Sequence, residues 1–198
     1  MNALQPVSLR MDDDAPRPRF SQPRVAIIHY WLVSMRGGER VLERLMHLFP
    51  QADIFTHVYD PTKMSNVINE AKVTTSFINK MPLSRRWYQY YLPLMPMALE
   101  QFDLNGYDLI ISSESGPAKG VITDPTSHHM CYCHSPMRYL WDHYHQYRNG
   151  ANPIARAAMP MLYHKLREWD VSSSARVDNF VANSNFIRQR IMKNWRRE

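Results

Sequence analysis

The chain has 198 residues, 44% of them hydrophobic and 12% aromatic, and a formal net charge of +6. That length holds one ordinary domain with a sizeable core, and the composition excludes an intrinsically disordered chain. No apolar run approaches the ~20 residues of a membrane span, and the N-terminus lacks the apolar segment of a secretory signal.

Residues 1–23 mix Asp12-Asp13-Asp14 with Pro16, Pro18 and Pro23 and read as a disordered tail. The acidic triplet resembles a metal site in its letters only. Carboxylates that hold a metal need a rigid frame such as a strand end, and no strand precedes these, so no metal is expected.

The next stretch, Arg24 to Met46, organises the rest. Val25 to Ile28 is a continuous apolar, β-branched run, the pattern of a strand buried on both faces in a parallel sheet. A short loop ends in Gly37-Gly38. Val41, Leu42, Leu45, Met46, Leu48 and Phe49 then recur at helical spacing as one apolar stripe. Strand, glycine turn and helix in this order create a place for an anion. The first helical N–H groups have no partner inside the helix, and glycine lets a phosphate approach them. Arg36 would add a full charge. Against this stands Glu39, which already favours the helix dipole and would repel a phosphate, so Gly37-Gly38 also fits a plain tight turn.

Asp53 to Tyr59 alternates and is β-rich, which predicts a second strand ended by Asp60-Pro61. Val73 to Ile78 predicts a third. Arg85-Arg86-Trp87-Tyr88-Gln89-Tyr90-Tyr91-Leu92 predicts a basic, aromatic helix stopped by Pro93 and Pro96. It fits a core helix whose tyrosines reach solvent, and equally an interfacial helix on lipid head groups.

Asp108 to Ser113 predicts a buried strand that runs into a small-residue loop, Glu114 to Gly120. Such loops at strand C-termini are where open α/β sheets bind ligands. His129 to Cys133 leads into His134-Ser135-Pro136-Met137-Arg138-Tyr139-Leu140-Trp141-Asp142. Pro153 to Ala175 reads as helix with a kink at Pro160. Asp178 to Ala182 is the last strand, and Asn183-Ser184 supplies the N-cap of a helix from Phe186 to Trp195. Strands alternating with helices imply βαβ units: an α/β fold with a Rossmann-like, mostly parallel sheet flanked by helices.

Cys131 and Cys133 share a strand face. With His134 they suggest a metal, but a zinc site needs about four ligands and no second cysteine pair exists. Two cysteines form no disulfide framework, so a reducing, cytoplasmic setting is expected. His134 falls just past a strand, where the sheet opens, with Pro136 stiffening the turn and Arg138 near it. Its ring can donate or accept near neutral pH. The dinucleotide Gly-x-Gly-x-x-Gly fingerprint and the Gly-x-Ser-x-Gly elbow are both absent. The positive charge forms no stripe along a helix, which weighs against nucleic acid.

The set Val25–Leu32 with Gly37-Gly38-Glu39, Asp53–Thr56, Tyr91–Pro96, Tyr107–Ser113, Ala118–Val121, Tyr132–Asp142 and Val181–Ser184 resembles the N-terminal domain of family 4 GT-B glycosyltransferases. It looks most like bacterial mannosyltransferase-like members that build polysaccharides. The resemblance runs over about residues 24 to 195 in one consistent order. It implies that residues 24–198 are the acceptor-binding, Rossmann-like half of a retaining, metal-free transferase. A second domain, absent from this chain, would bind the nucleotide sugar, with GDP-mannose the expected donor. By position, the resemblance puts Gly37 and Gly38 against the donor diphosphate and makes His134 the catalytic residue beside the donor sugar. It puts Trp31, Arg138 and Tyr139 on the acceptor side. Family acceptors are often lipid-linked sugars or glycans, which makes Arg85, Arg86 and Trp87 a contact with an anionic membrane surface. The expected placement is cytoplasmic, peripheral on the inner face of the cell membrane. The chain departs from the family by stopping at Glu198, before the donor domain, so alone it is expected to be inactive. It also carries Glu114-Ser115-Gly116-Pro117 where many relatives have Ser-His. Two other readings stay open: a non-catalytic Rossmann-like module for a phosphorylated ligand, and a basic nucleic-acid-binding domain.

Overall fold

A computed structural model describes residues 22–198, so the expectation of a disordered tail with Asp12-Asp13-Asp14 falls almost wholly outside the described residues. Val25–His29 forms β1, and all five of its residues are buried. Val25 and Ile27 face one cluster, with Ile54, Ile68 and Ile111, and Ala26 and Ile28 face another, with Phe55, Leu99 and Phe102. The continuous apolar run is therefore a strand covered on both faces. Helix α1, Gly37–Leu48, covers the first cluster through Leu42 and Met46. The expected stripe is narrower than its letters, since Leu48 is 71% exposed.

Strand β2 (Asp53–Thr56), helix α2 (Asn66–Glu70) and strand β3 (Val73–Thr75) follow, with 3-10 turns at Pro61–Lys63 and Phe77–Lys80. Both strands are shorter than the sequence predicts. The expected Arg85–Leu92 helix is broken. A short α3 (Ser84–Trp87) passes into a 3-10 run, Tyr88–Leu94, and then α4 (Met95–Leu99). Pro93 and Pro96 carry no N–H for the α-helical ladder, and their rings crowd the preceding turn, so the segment tightens and restarts.

Strand β4 (Leu109–Glu114) and strand β5 (His128–Cys133) pair in parallel, and helix α5 (Tyr144–Gly150), which the sequence analysis did not predict, follows. Helix α6 (Pro153–Ser173) runs through Pro160 as one element. Strand β6 (Asn179–Ala182) precedes helix α7 (Asn185–Trp195), whose N-cap is Ser184: its hydroxyl accepts from the Ile187 N–H at 3.3 Å. The six strands lie in the order β3-β2-β1-β4-β5-β6, every pair parallel. This is the doubly wound, Rossmann-like sheet that the alternation of strands and helices predicts. Cys131 and Cys133 are free thiols packed on Val177, Ile187, Ile191 and Trp195, and burial pushes both pKa values up.

One charged cluster lies inside this core. Lys119, Glu114 and Asp170 are each 0% exposed. The Lys119 ammonium is bonded to Asp170, lies 3.6 Å from Glu114 Oε1 and sits 4.2 Å from the centre of the Trp195 ring. The indole N–H groups of Trp141 and Trp195 both donate to Asp170 Oδ2 at 2.8 Å. Burial alone would lower the pKa of Lys119, but Asp170 and then Glu114 overcome it and raise it. Gly120 keeps the loop against α6, where a Cβ would fall on the Trp169 ring.

Two predictions follow from these buried groups. Lys119→Met strands two buried carboxylates and is expected to cost about 3–5 kcal/mol of folding free energy in urea denaturation. Adding Asp170→Asn recovers part of that loss. Parent-like stability of Lys119→Met alone would remove the cluster from any structural role. The second concerns His57 and His129, which burial holds neutral, with pKa values lowered to about 3 and about 4. The unfolded chain protonates these rings first as pH falls below about 6.5, so their stability is complete above that pH and drains away towards pH 4 and 3. The urea midpoint should therefore fall between pH about 6.5 and about 5, above the carboxylate range, and fall less in His57→Gln/His129→Gln. A flat parent midpoint over that window would contradict the assignment.

Candidate functional site

The strand order reverses between β1 and β4, and a crevice opens outside the carboxyl ends of these neighbours. Three elements bring polar groups to it. His29 ends β1 and stands in register with Ser113 near the end of β4. His134 is the first residue past β5. The Ser113 hydroxyl lies 3.1 Å from His29 Nδ1 and 2.9 Å from His134 Nε2, so one serine bridges two imidazoles. On the far side, His29 Nε2 is 3.6 Å from Glu39 Oε1, within ion-pair reach.

The order of protons follows from the carboxylate. When neutral His29 carries its proton on Nε2, facing Glu39, its Nδ1 accepts from the Ser113 hydroxyl. The Ser113 oxygen then accepts from His134 Nε2–H. Neutral His134 is left with Nδ1 as an acceptor. Burial, then the neighbouring His29, lowers the His134 pKa to about 4, so the ring is neutral near pH 7. His134 is half-buried, its backbone N–H donates to Glu114 O at 2.9 Å, and its own carbonyl accepts from the Asn183 amide at 3.3 Å. Arg190 of α7 holds the turn from below, donating to the Ser135 hydroxyl and the Pro136 carbonyl and pairing with Asp142. The ring is thus held by the Ser113 hydroxyl, and the turn that carries it by β4, Asn183 and α7.

The start of α1 lies beside this relay. Glu39 is buried and accepts from the Arg36 N–H at 2.8 Å. Burial raises its pKa, but the His29 contacts and the backbone donors outweigh this and leave it lowered. The two glycines differ. A Cβ on Gly38 would lie 2.5 Å from the Tyr30 hydroxyl, whereas nothing lies within 4 Å of one on Gly37. Gly38 makes room for Tyr30, which stacks on His29 at 4.2 Å between ring centres. Gly37 is the exposed member of the pair.

The other expected residues lie elsewhere on the same domain. Half-buried Trp31 packs on Tyr30 and Tyr88, with Gly116 pressed against its ring. Tyr139 packs between Tyr147 and Tyr163, with its hydroxyl 2.9 Å from the Met137 sulfur. Arg138 is exposed and lines a hollow of about 480 Å³ with His143, Gln146 and Tyr147. Trp31 and Tyr139 share one apolar cluster, but their ring partners differ. Arg85, Arg86 and Trp87 are exposed, and Arg86 lies over the Trp87 ring at 5.9 Å. Among the described residues no group of three or more His, Cys, Asp or Glu is placed to hold a metal ion. No described helix is long and apolar enough to cross a membrane.

Sequence analysis missed His29, Ser113, Asn183 and Arg190, and placed Glu39 only on the helix dipole. The available signal was polar residues at the ends of apolar strands: His29 after Val25–Ile28, and Ser113 after Leu109–Ile111. Nothing local marks Arg190.

The glycine pair offers a direct test of phosphate approach. Gly38→Ala must displace Tyr30 and is expected to lower stability by about 1–3 kcal/mol. Gly37→Ala meets open space and should melt with the parent, so any loss of ligand binding it causes reports on close approach at the helix start. Gly37→Ala that keeps full affinity for a nucleotide-sugar phosphate would exclude that approach.

Comparisons with known proteins give one partial likeness. No family model matches the chain, and no curated protein matches it. Among solved structures, the chain is similar to the apo form of the lipopolysaccharide outer core galactosyltransferase WaaB at 14% identity and a TM-score of 0.41. That likeness covers 86% of this chain and 42% of the other, so this chain spans under half the length of that transferase.

Proposed function

We propose that the chain is the acceptor-binding half of a retaining GT-B glycosyltransferase that moves a hexose from a nucleotide sugar to a glycan or lipid-linked acceptor. The proposal extends to mannose as the hexose and GDP-mannose as its donor, after the resemblance to mannosyltransferase-like members of family 4. The observation that carries the reading is the Glu39–His29–Ser113–His134 relay at the carboxyl edge of the sheet, beside Gly37. A neutral, immobilised imidazole with a free acceptor nitrogen suits a donor sugar hydroxyl: it orients the ring without adding a charge near the reacting carbon. The exposed start of α1 suits the departing diphosphate, with Gly37 allowing close approach. The nucleotide would be held by a second domain, and the chemistry would occur between the two without a metal. Trp31, Arg138 and Tyr139 remain the proposed acceptor side. Arg85, Arg86 and Trp87, with Tyr90 72% exposed beside them, are the proposed contact with an anionic membrane face.

The test is His134→Ala in an enzyme completed with a donor-binding domain, with turnover and melting measured together. Turnover should fall at least about tenfold, roughly 1.4 kcal/mol of barrier, while the melting point stays close to the parent's. His134→Gln, which keeps a hydrogen-bonding group, should recover part of the rate. Unchanged turnover with lowered stability would make His134 a strut of the turn and remove the site. Binding of sugar nucleotides with no transfer by the completed protein would favour a non-catalytic module instead.

A further inference from the structure

A second polar hollow lies on the same domain, and the relay does not use it. Val33, Ser34, Arg36, Lys63, Arg85, Arg86 and Tyr88 line about 440 Å³ of space. Its floor is firm, since Val33 and Tyr88 are buried. Its walls carry four cations from three separate segments: the loop before α1, the 3-10 turn after β2, and α3. Among the described residues two carboxylates stand near them, Glu39 at the Arg36 backbone N–H and Asp60 at Lys63. Asp60 lies 3.6 Å from Lys63, and its pKa is lowered first by Thr62 and also by Lys63 and Arg85. Arg36, Arg85 and Arg86 have no ion-pair partner among the described residues, which leaves the hollow with a clear surplus of positive charge. Like charges brought together repel, so a cluster of this kind is disfavoured unless an anion shares it.

We propose that this hollow is an anion site for a diphosphate or similarly charged phosphate ester, separate from the helix start at Gly37. Two guanidinium forks and the Arg36 side chain can each give paired N–H donors to phosphate oxygens, and Lys63 adds a point charge. The Ser34 and Tyr88 hydroxyls supply neutral partners on the lining. The hollow communicates with the relay through Arg36, whose backbone N–H is bonded to Glu39 and whose charge acts on the Tyr30 hydroxyl. A phosphate held here would therefore tether the rest of its molecule within reach of the crevice. The proposal deepens the transferase reading by giving the acceptor a phosphate handle, yet it stands on the hollow's own charges. The same chemistry is offered by a lipid diphosphate head group and by a soluble phosphate ester.

The experiment uses the full chain and two probes. Inorganic pyrophosphate is titrated calorimetrically, and vesicles of phosphatidylcholine, with and without an equal share of phosphatidylglycerol, are co-sedimented. Lys63→Gln/Arg85→Gln removes two hollow cations that stand apart from the start of α1. Arg156→Gln/Arg188→Gln removes the same charge from exposed positions elsewhere, and Trp87→Ala removes the aromatic neighbour. Melting curves confirm that each variant folds. The hollow variant should lose pyrophosphate affinity at least about tenfold, roughly 1.4 kcal/mol. The control and Trp87→Ala should bind it like the parent. Pyrophosphate binding without selective vesicle binding assigns a soluble ester. Vesicle binding that needs phosphatidylglycerol and is lost in the hollow variant adds the lipid source. No pyrophosphate binding by the parent, or equal loss in hollow and control variants, overturns the proposal. Anion binding that survives while His134→Ala keeps full turnover would sink the catalytic reading alone, and the converse would sink the hollow alone.

Discussion

The ammonium of Lys119, fully enclosed, sets conditions that much of the domain has to meet. An ion of that size removed from water costs several kcal/mol unless opposite charge and hydrogen bonds meet it. Asp170 from α6 supplies the charge, and Trp141 and Trp195 fix that carboxylate through their indole N–H groups. The chain between β4 and β5, the segment after His134, α6 and α7 must therefore converge on one point. Glu114 completes the arrangement differently. Its Oε2 accepts the backbone N–H groups of Ala118 and Lys119, which curls the loop that carries Gly116 against Trp31. Burial dominates its titration and raises its pKa to about 7. A polar knot of this kind adds little stability beyond an apolar core of equal volume, but it penalises every arrangement in which the partners fail to meet.

The crevice rests on that knot. Three parallel strands deliver one residue each to the same edge, and a serine in the middle has the reach to join two imidazoles without filling the space between them. The relay orders protons in one direction because a buried carboxylate stands at one end. The consequence is a histidine that is neutral, oriented and half-exposed, an economical way to present an acceptor without a charge. The turn that carries it is held by Asn183 and Arg190, from the elements that follow it in sequence. Its orientation therefore depends on β6 and α7 docking correctly.

The glycine pair and the basic hollow show how neighbouring features divide their work. Gly38 is required by packing, since Tyr30 occupies the space a side chain would need, while Gly37 leaves the helix start open to solvent. Arg36 stands between the crevice and the hollow, capping α1 through its backbone and facing the other cations with its side chain. The two proposed phosphate sites would differ in kind, one relying on backbone N–H groups at the start of α1 and the other on side-chain charge.

The sequence by itself determined the parallel α/β fold, the glycine turn after the first strand, the Ser184 cap and the position of His134 past a strand end. These are local: each is set by residue spacing, by capping chemistry or by the burial of a continuous apolar run. Tertiary structure decided the rest. His29 and Ser113 meet only because β1 and β4 are neighbours in the sheet although they lie 84 positions apart in the chain. Nothing local in the sequence marks Lys119 or Arg190 as internal, and only the packing around them makes them so. The helix expected over Arg85–Leu92 is broken because proline geometry outweighed helical spacing. Periodicity reports how a segment folds upon itself, but the energy of a buried charge or a strand-end hydrogen bond depends on which distant segment arrives beside it.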